Sequence, residues 1–320
     1  MTTSTSSLFG AAPQREAATA GSYGTPPTKY RLPEATRLGP VRLQVADLAR
    51  SLPFYRDILG LDVLEHEAAR ALLGAHGDRT PLVELHARRG ARPAARSGRL
   101  GLYHFAILLP DRASLGRFVR HLGAVGARAG AGDHLVSEAF YLQDPDNLGI
   151  EVYADRPRST WQRLGRELML ATDPVDVDGL VQAAGDAPWQ GMPAGTVMGH
   201  VHLHVGDLAR ASDFYSEALG FDRTTWRYPG ALFLGAGGYH HHVGTNTWSG
   251  PGARPDAEGD ARLLEWTIAL PATEDVEAVQ ESLRAAGYEV GGADVGAIVA
   301  SDPWGTRVRI VADRPERRPA

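Results

Sequence analysis

The chain contains no cysteine among its 320 residues, which excludes disulfide bonds, zinc–thiolate sites and cysteine nucleophiles. It also contains no uninterrupted apolar run of the roughly 18 residues that span a bilayer. Its N-terminal stretch lacks the basic start and the apolar core of a secretory signal peptide. These absences predict a protein of the reducing cytoplasm without a membrane partner.

Positive charge is also scarce. The 33 Lys and Arg residues are outnumbered by 38 Asp and Glu residues, and the formal net charge is -5. Such a balance gives no reason to expect nucleic acid as a partner. A hydrophobic content of 43% and a charged content of 22% are typical of a soluble globular protein. The length is sufficient for two domains, each with its own core.

The chain does contain an internal repeat. The segment Val41-Arg-Leu-Gln-Val-Ala-Asp-Leu-Ala-Arg recurs as Val201-His-Leu-His-Val-Gly-Asp-Leu-Ala-Arg. In both copies the alternation of apolar residues predicts a strand. Asp47 and Asp207 stand where each following helix would need an N-cap. Each copy therefore begins a strand–helix unit.

A second type of unit follows each of these. Tyr103-His-Phe-Ala-Ile-Leu-Leu-Pro matches Leu264-Glu-Trp-Thr-Ile-Ala-Leu-Pro, and both units close on Asp-Pro followed later by Ala-Asp-Arg-Pro. These landmarks predict an α+β fold of two modules, each made of two βαβββ units with curved mixed sheets. The predicted segments are a mobile N-terminal tail (1–36), a first module (37–156), a linker (157–196), a second module (197–316) and a short tail (317–320).

The densest chemistry lies in one predicted hairpin. The apolar strand 139–142 enters a turn marked by Asp144-Pro-Asp-Asn, and the next apolar strand carries Glu151. Proline fixes φ and asparagine tolerates a left-handed conformation, so this tetrapeptide is a strong turn signal. The hairpin allows His134, Tyr141 and Glu151 to face one cavity. A carboxylate in an apolar strand is costly unless it is paired or bound to a metal.

The four units differ at the positions that would face each cleft. Taken unit by unit, these positions hold Pro40 and Glu84, then His104 and Glu151, then His200 and the histidine run 240–242, and finally Glu265 and Arg309. Proline offers no side-chain ligand and arginine repels a cation, so only the second and third units supply a coherent set. His104, Glu151 and His200 would leave about three positions open on an octahedral Fe(II) for a bidentate substrate and O₂.

Each of these residues also has a structural interpretation. A single histidine at the start of a strand is commonly a hydrogen-bonded core residue, and Glu151 by itself could be a solvated acid at a strand edge. The run 240–242 could be a polar strand end, Tyr141 a core residue and His134 a loop residue. The joint occurrence of histidines and an acid at equivalent positions of the repeats favours a metal site.

Residues 37–316 resemble the vicinal oxygen chelate superfamily, and within it the type I extradiol ring-cleavage dioxygenases, the bacillar-type catechol 2,3-dioxygenases in particular. The signature of that family is a glycine, any residue and a histidine, then an apolar residue with tyrosine, an acid with proline, and a final glutamate. In this chain these positions are Gly132, His134, Phe140, Tyr141, Asp144, Pro145 and Glu151. One departure is Asn147, where glycine or proline is usual, and asparagine can form the same turn.

The resemblance implies two glyoxalase/extradiol-dioxygenase-like modules and a cytoplasmic enzyme of aromatic hydrocarbon catabolism. It implies that His104, His200 and Glu151 hold Fe(II), with Mn(II) as the alternative metal. The substrates would be a catechol, which is a small aromatic diol, and O₂, and the product a muconic semialdehyde. A homo-oligomer is compatible with this prediction.

The resemblance also implies roles for the neighbouring residues. His134 and Tyr141 would sit beside the metal, His134 stabilising bound oxygen or donating a proton and Tyr141 bonding a substrate oxygen. A histidine of the run would be the general base, His242 being the first choice and His241 the second. Alternate residues face the cleft, so one choice excludes the other.

Better-known extradiol enzymes take all three metal ligands from the second module. Here that module offers only His200, so we expect a site shared between the modules, with a degraded metal site as the alternative. Two other functional classes stay open. One is a non-catalytic small-aromatic-binding protein of the same fold. The other is a glyoxalase-like isomerase or lyase with Ni(II) or Zn(II) bound by His200, His242, His104 and Glu151. The pair of His134 and Tyr141 favours the dioxygenase, because neither alternative requires both.

Overall fold

The computed structural model describes residues 3–10, 15–293 and 296–313. Its first half follows the predicted unit pattern. The N-terminal segment contains α1 (Thr5–Phe9) and β1 (Glu16–Ala17). The first unit contains β2 (Arg37–Val45), α2 (Leu48–Pro53) with a π-helical turn (Phe54–Ile58), β3 (Asp62–His66), β4 (Arg70–Gly74) and β5 (Pro81–Ala87). The second unit contains β6 (Arg99–Leu108), α3 (Arg112–Ala124), β7 (Gly130–Asp133), β8 (Ser137–Gln143) and β9 (Gly149–Asp155).

The rest of the chain repeats this pattern after a connecting segment. That segment contains a 3-10 turn (Arg158–Thr160), β10 (Gln162–Leu164), β11 (Glu167–Leu168) and α4 (Val177–Ala183). The third unit contains β12 (Val197–His204), α5 (Leu208–Ser212) with a π-helical turn (Asp213–Ala218), β13 (Asp222–Thr225), β14 (Ala231–Gly235), β15 (Val243–Asn246) and β16 (Arg254–Pro255). The fourth unit contains β17 (Arg262–Leu270), α6 (Thr273–Ala285), β18 (Val290–Gly292), β19 (Ala297–Ser301) and β20 (Arg307–Ala312).

Two predicted helix starts are confirmed in atomic detail. The side chain of Asp47 accepts a hydrogen bond from the backbone N–H of Ala49, and Asp207 accepts one from Arg210. Each bond satisfies one of the donors that the first turn of a helix leaves unpaired. In this way both copies of the repeat end the first strand and begin the helix at the same position.

Most of the strands belong to two large curved mixed sheets, which confirms the predicted fold class, and β1, β10 and β11 form a small third sheet. The first sheet has nine strands in the order β13-β14-β15-β12-β6-β9-β8-β7, with β16 beside β6. The second sheet has eight strands in the order β18-β19-β20-β17-β2-β5-β4-β3. The pairs β12–β15 and β6–β9 are parallel, whereas β12 and β6 are antiparallel. The first sheet therefore joins the second and third units, and the second sheet joins the first and fourth.

The two halves of the chain are consequently interlocked. Within each half, a buried tyrosine of one unit bonds the turn carboxylate of the next: Tyr55 donates to Asp144 at 3.1 Å, and Tyr215 donates to Asp302 at 2.8 Å. Burial raises the pKa of Asp144 to about 6 and also raises that of Asp302. Each half thus spans both sheets, and each sheet contains strands of both halves.

The N-terminal segment packs on the connecting segment between the halves. Strand β1 pairs with β10, and the backbone N–H of Thr5 donates to Asp173 at 2.8 Å. Thr172 donates its backbone N–H to the carbonyl of Thr3 at 2.8 Å. Thr25 also bridges Arg223 of β13 and Asp173 bridges Asp133 of β7, so both segments lie against the first sheet. Among the described residues, no helix is long and apolar enough to cross a membrane.

Candidate functional site

A cavity of about 510 Å³ opens on the concave side of the first sheet. Strands β6, β8, β9 and β12 form its floor, and the connecting segment together with Tyr228 and Trp248 forms its walls. Its lining combines aromatic rings with an unusual number of imidazoles. The histidines that line it are His104, His134, His200, His202 and His241.

Strand pairing brings three of the sequence-predicted ligands together. On the central strand β6, Ala106 stands opposite both Glu151 of β9 and His200 of β12. His104 lies two residues before Ala106, so it projects from the same face of the sheet. The small side chain of Ala106 leaves the space between the three larger groups open. A carboxylate and two imidazoles from three adjacent strands therefore converge on one point.

The distances between the ligand atoms suit a single cation. His104 Nε2 lies 2.9 Å from Glu151 Oε2, and His200 Nε2 lies 3.1 Å from the same oxygen. All three side chains are buried, and one ligand atom from each lies within 4.8 Å of the others. Despite the short distance to Glu151 Oε2, no contact of His104 Nε2 in the described part of the chain has the geometry of a hydrogen bond. A buried nitrogen without a partner is expensive, and a metal ion placed among these atoms would satisfy it.

The charge states of the three residues also fit a metal. Burial would raise the pKa of Glu151, but His200 and His104 hold it well below its ordinary value. Burial lowers the pKa of His104 and of His200, so both imidazoles are neutral near pH 7. One carboxylate and two neutral imidazoles are a donor set for a divalent transition metal, because both residue types bind metals in their deprotonated forms.

The predicted hairpin is confirmed and sets the position of Glu151. Strands β8 and β9 are antiparallel with Tyr141 opposite Glu151. In the turn, Asn147 has a backbone φ angle of 67°, which is the left-handed conformation that the sequence suggested. The carboxylate of Asp144 accepts the backbone N–H of Leu148 at 2.8 Å, which closes the turn.

His134 and Tyr141 form a hydrogen-bonded pair at the edge of the cavity. His134 Nδ1 lies 2.7 Å from the carbonyl oxygen of Ala171, so it carries the proton and donates it. His134 Nε2 is then the acceptor for the hydroxyl of Tyr141, at 2.5 Å. Burial and the charge of Glu151 raise the pKa of Tyr141 well above its ordinary value, so the phenol keeps its proton. The rings of Tyr141 and His104 lie 5.4 Å apart, beside the three ligands.

The histidine run separates into residues with different surroundings. His241 lines the cavity, with its ring centroid 4.1 Å from that of His200. His240 lies behind it, and its Nδ1 is 2.7 Å from Nδ1 of His241. His240 Nε2 bonds Asp155 at 2.9 Å. The run therefore supplies one histidine to the cavity and a second that contacts it.

The expectation that His242 faces the cavity is wrong. The backbone of His242 already takes part in the sheet, its N–H bonding Leu234 and its carbonyl bonding Val201. This register directs its ring away from His241, toward Ala236, whose backbone N–H donates to His242 Nδ1 at 3.2 Å. His242 consequently does not line the cavity, and His241 is the member of the run that does.

His202, which lines the cavity two residues after His200, was not among the site residues predicted from the sequence. A signal was present, because in a strand the alternate residues His200, His202 and His204 must share one face. Further lining residues come from segments that sequence reasoning did not connect with the site. They are Thr3 of the N-terminal segment, Leu170 and Thr172 of the connecting segment, and Tyr228 and Pro229 of a loop in the third unit.

The second sheet has no comparable ligand set at its equivalent positions. Glu265, equivalent to His104, accepts hydrogen bonds from Arg309 at 2.8 Å and Arg42 at 3.1 Å. Glu84 accepts from Arg42 and from Arg70, each at 2.7 Å. The arginines occupy the place that a cation would take and neutralise both carboxylates. At these described positions, the first sheet presents three residues that could hold a metal ion, whereas the carboxylates of the second sheet are paired with arginines.

Known proteins resemble the chain over most of its length. Residues 37–152 and 197–310 match the family model described as Glyoxalase/Bleomycin resistance protein/Dioxygenase superfamily. A protein from Bacillus subtilis (strain 168) named Catechol-2,3-dioxygenase is 45% identical over 261 residues, which are 80% of this chain and 90% of that protein.

Solved structures share the fold. A putative dioxygenase from Bacillus subtilis subsp. subtilis str. 168 gives a TM-score of 0.61 at 14% identity, covering 90% of this chain and 87% of the other. Glyoxalase I from Zea mays gives 0.53 at 20% identity, covering 87% and 92%.

Proposed function

Because the chain belongs to the Glyoxalase/Bleomycin resistance protein/Dioxygenase superfamily, we propose that it is an extradiol dioxygenase that cleaves a catechol with O₂ to a muconic semialdehyde. The observation that carries the proposal is the convergence of His104, Glu151 and His200 in one cavity beside the His134–Tyr141 pair. The relative named Catechol-2,3-dioxygenase, 45% identical to this chain, supports it. The enzyme thus acts on a small aromatic diol.

The three ligands are suited to Fe(II), with Mn(II) as the alternative. Two imidazoles and one carboxylate leave coordination positions open, where the ion would bind both catechol oxygens and O₂ and lower the hydroxyl pKa. The ligands come from both halves of the chain, and the shared first sheet fixes their spacing. Both metals bind to this set of ligands, so the active metal has to be identified by comparing protein reconstituted with Fe(II) and with Mn(II).

His241 is the general base for the catechol. Asp155 accepts a hydrogen bond from His240 Nε2–H, which leaves His240 Nδ1 as an acceptor in the neutral imidazole. His241 Nδ1 must then donate to His240 Nδ1, so His241 Nε2 keeps its lone pair for a substrate hydroxyl. Burial holds the pKa of His241 well below its ordinary value, which keeps this nitrogen unprotonated before the substrate binds. The chain from Asp155 through His240 thus fixes the tautomer that a base requires.

His134 and Tyr141 contact the oxygen atoms of the substrate and exchange protons with them. The bond from His134 Nδ1 to Ala171 fixes the imidazole, and Tyr141 is held in contact with it. Rotation of the Tyr141 hydroxyl turns its proton from His134 to a substrate oxygen. His134 Nε2, then free, would take the catechol proton that His241 does not remove. The imidazolium would stabilise negative charge on a substrate oxygen and return that proton as the ring opens.

The position of His242 weighs against a glyoxalase-like isomerase. That alternative requires His242 as a fourth metal ligand, and the side chain lies outside the cavity, bonded to the backbone of Ala236. A binding protein without catalysis would not require the fixed His241 tautomer. Of the five histidines that line the cavity, the dioxygenase reaction assigns a role to all except His202.

The reaction is tested by anaerobic reconstitution with Fe(II), addition of a panel of catechols and then admission of air. We expect a yellow ring-fission product with one O₂ consumed per molecule of catechol. A parallel reconstitution with Mn(II) decides between the two metals. Absence of product with every catechol, together with turnover of methylglyoxal–thiol adducts, would contradict the dioxygenase and support the isomerase.

A further inference from the structure

His202 is a buried histidine to which the proposed reaction assigns no role. Its side chain lines the cavity and is 4% exposed. Its Nε2 atom has no hydrogen-bond partner among the described residues. Leaving a buried polar atom unpaired destabilises a folded protein, so such an atom inside a cavity indicates a ligand that pairs with it.

The internal repeat shows that His202 lacks the side-chain partner that the equivalent residue of the second sheet has. In the second sheet the equivalent residue is Arg42, which stands opposite Glu84 and donates to it at 2.7 Å. In the first sheet, His202 stands opposite Gly244. A Cβ atom at Gly244 would lie 2.9 Å from the His202 ring, so any larger residue would displace it. Gly244 therefore makes room for the ring and offers no side-chain partner.

The remaining neighbours of His202 pack against its ring but form no hydrogen bond with its Nε2 atom. The rings of Tyr103, His104, Phe233 and Trp248 have centroids between 5.0 and 5.6 Å from its own. These contacts fix the direction of the imidazole through packing. The group is thus positioned in advance for a ligand atom, which reduces the entropy lost on binding.

The cavity also restricts the charge of the ligand group. In the described part of the chain its lining includes neither lysine nor arginine, and its only carboxylate is Glu151. An anionic substituent would lie near Glu151 without a side-chain cation. An uncharged oxygen can form a hydrogen bond with an imidazole nitrogen and avoids that cost.

We propose that His202 is a specificity-determining residue that hydrogen-bonds an uncharged oxygen substituent on the catechol ring. The preferred substrates are then catechols with a third oxygen group, a hydroxyl or a carbonyl, in addition to the two chelating oxygens. This assignment rests on the proposed function, because it takes a catechol as the substrate class.

The test compares binding of matched hydroxyl and methyl analogues to the Fe(II)-loaded protein without O₂, so that no turnover occurs. The pairs are pyrogallol with 3-methylcatechol, and 1,2,4-trihydroxybenzene with 4-methylcatechol, since the two pairs cover both kinds of free ring position. In the wild type, the hydroxyl member of at least one pair is expected to bind about tenfold more tightly.

Three variants identify the residue responsible. His202→Leu is expected to reduce the preference to within about twofold, because the hydrogen bond is lost while the volume is retained. His202→Gln restores a polar atom and is expected to recover most of it. His204→Leu, on the same strand but bonded through its own Nδ1 to Asn246 at 2.7 Å, is the control and should keep the wild-type preference.

The outcomes separate this assignment from the reaction. Equal affinity within both pairs in the wild type, or a preference that survives in His202→Leu, would overturn the assignment. A preference that depends on His202 would support it, even if no catechol gave a ring-fission product. That combination would contradict only the dioxygenase reaction.

Discussion

Replacing Glu151 by glutamine is expected to eliminate tight Fe(II) binding and, with it, ring cleavage. The amide has nearly the same shape but cannot supply the negative charge that stabilises a divalent ion between two neutral imidazoles. The loss should exceed the roughly 10–100-fold that follows removal of a residue outside the coordination sphere. His104→Ala and His200→Ala should have the same effect, because each removes one of three ligands.

Anaerobic titration with Fe(II), followed by metal analysis after desalting, measures this effect. His86→Ala is a matched control, because His86 lies in the second sheet, where it bonds Glu84 at 2.9 Å. It should retain one Fe(II) per chain. His200→Ala is the decisive variant, since His200 is the only ligand from the second half. If that variant keeps its iron, the metal site is not shared between the halves.

Replacing His241 by glutamine is expected to lower kcat by about 10²- to 10⁴-fold while leaving the iron content unchanged. That range is typical for loss of a general base. The reason is the fixed tautomer of His241, whose Nδ1 contacts His240 and whose Nε2 is left to accept a proton. Steady-state kinetics and iron analysis on the same preparation separate loss of the base from loss of the metal.

His242→Asn is the matched control for His241. The asparagine oxygen can replace Nδ1 as the acceptor of the Ala236 N–H, so the local backbone should be preserved. Its kcat is expected to stay within about threefold of the wild type, in line with the position of the side chain outside the cavity. A large loss of kcat in His242→Asn, with activity retained in His241→Gln, would reverse the assignment of the base.

The sequence was most informative where a repeat or a local motif constrained the structure. Four aligned units predicted the α+β fold, and the Asp144 turn predicted the hairpin that carries Glu151. Comparison of equivalent positions then selected His104 and His200, which the structure brings to the same carboxylate. Their function as metal ligands stays a prediction.

Strand pairing between units could not be predicted from the sequence. The first strand of each unit can pair with several others of similar apolar character, and only the complete packing selects β12 beside β6 and β17 beside β2. The choice between His241 and His242 failed for a related reason. It depends on where β15 begins, and a shift of one residue exchanges the two faces of a strand.

The most direct test of the account is the location of the metal in crystals of the Fe(II)-reconstituted protein, measured by anomalous scattering at the iron absorption edge. The account predicts one strong peak per chain, within coordination distance of His104 Nε2, His200 Nε2 and the Glu151 carboxylate. A peak elsewhere, for example between His240 and Asp155, or no peak in protein that cleaves catechol, would contradict it.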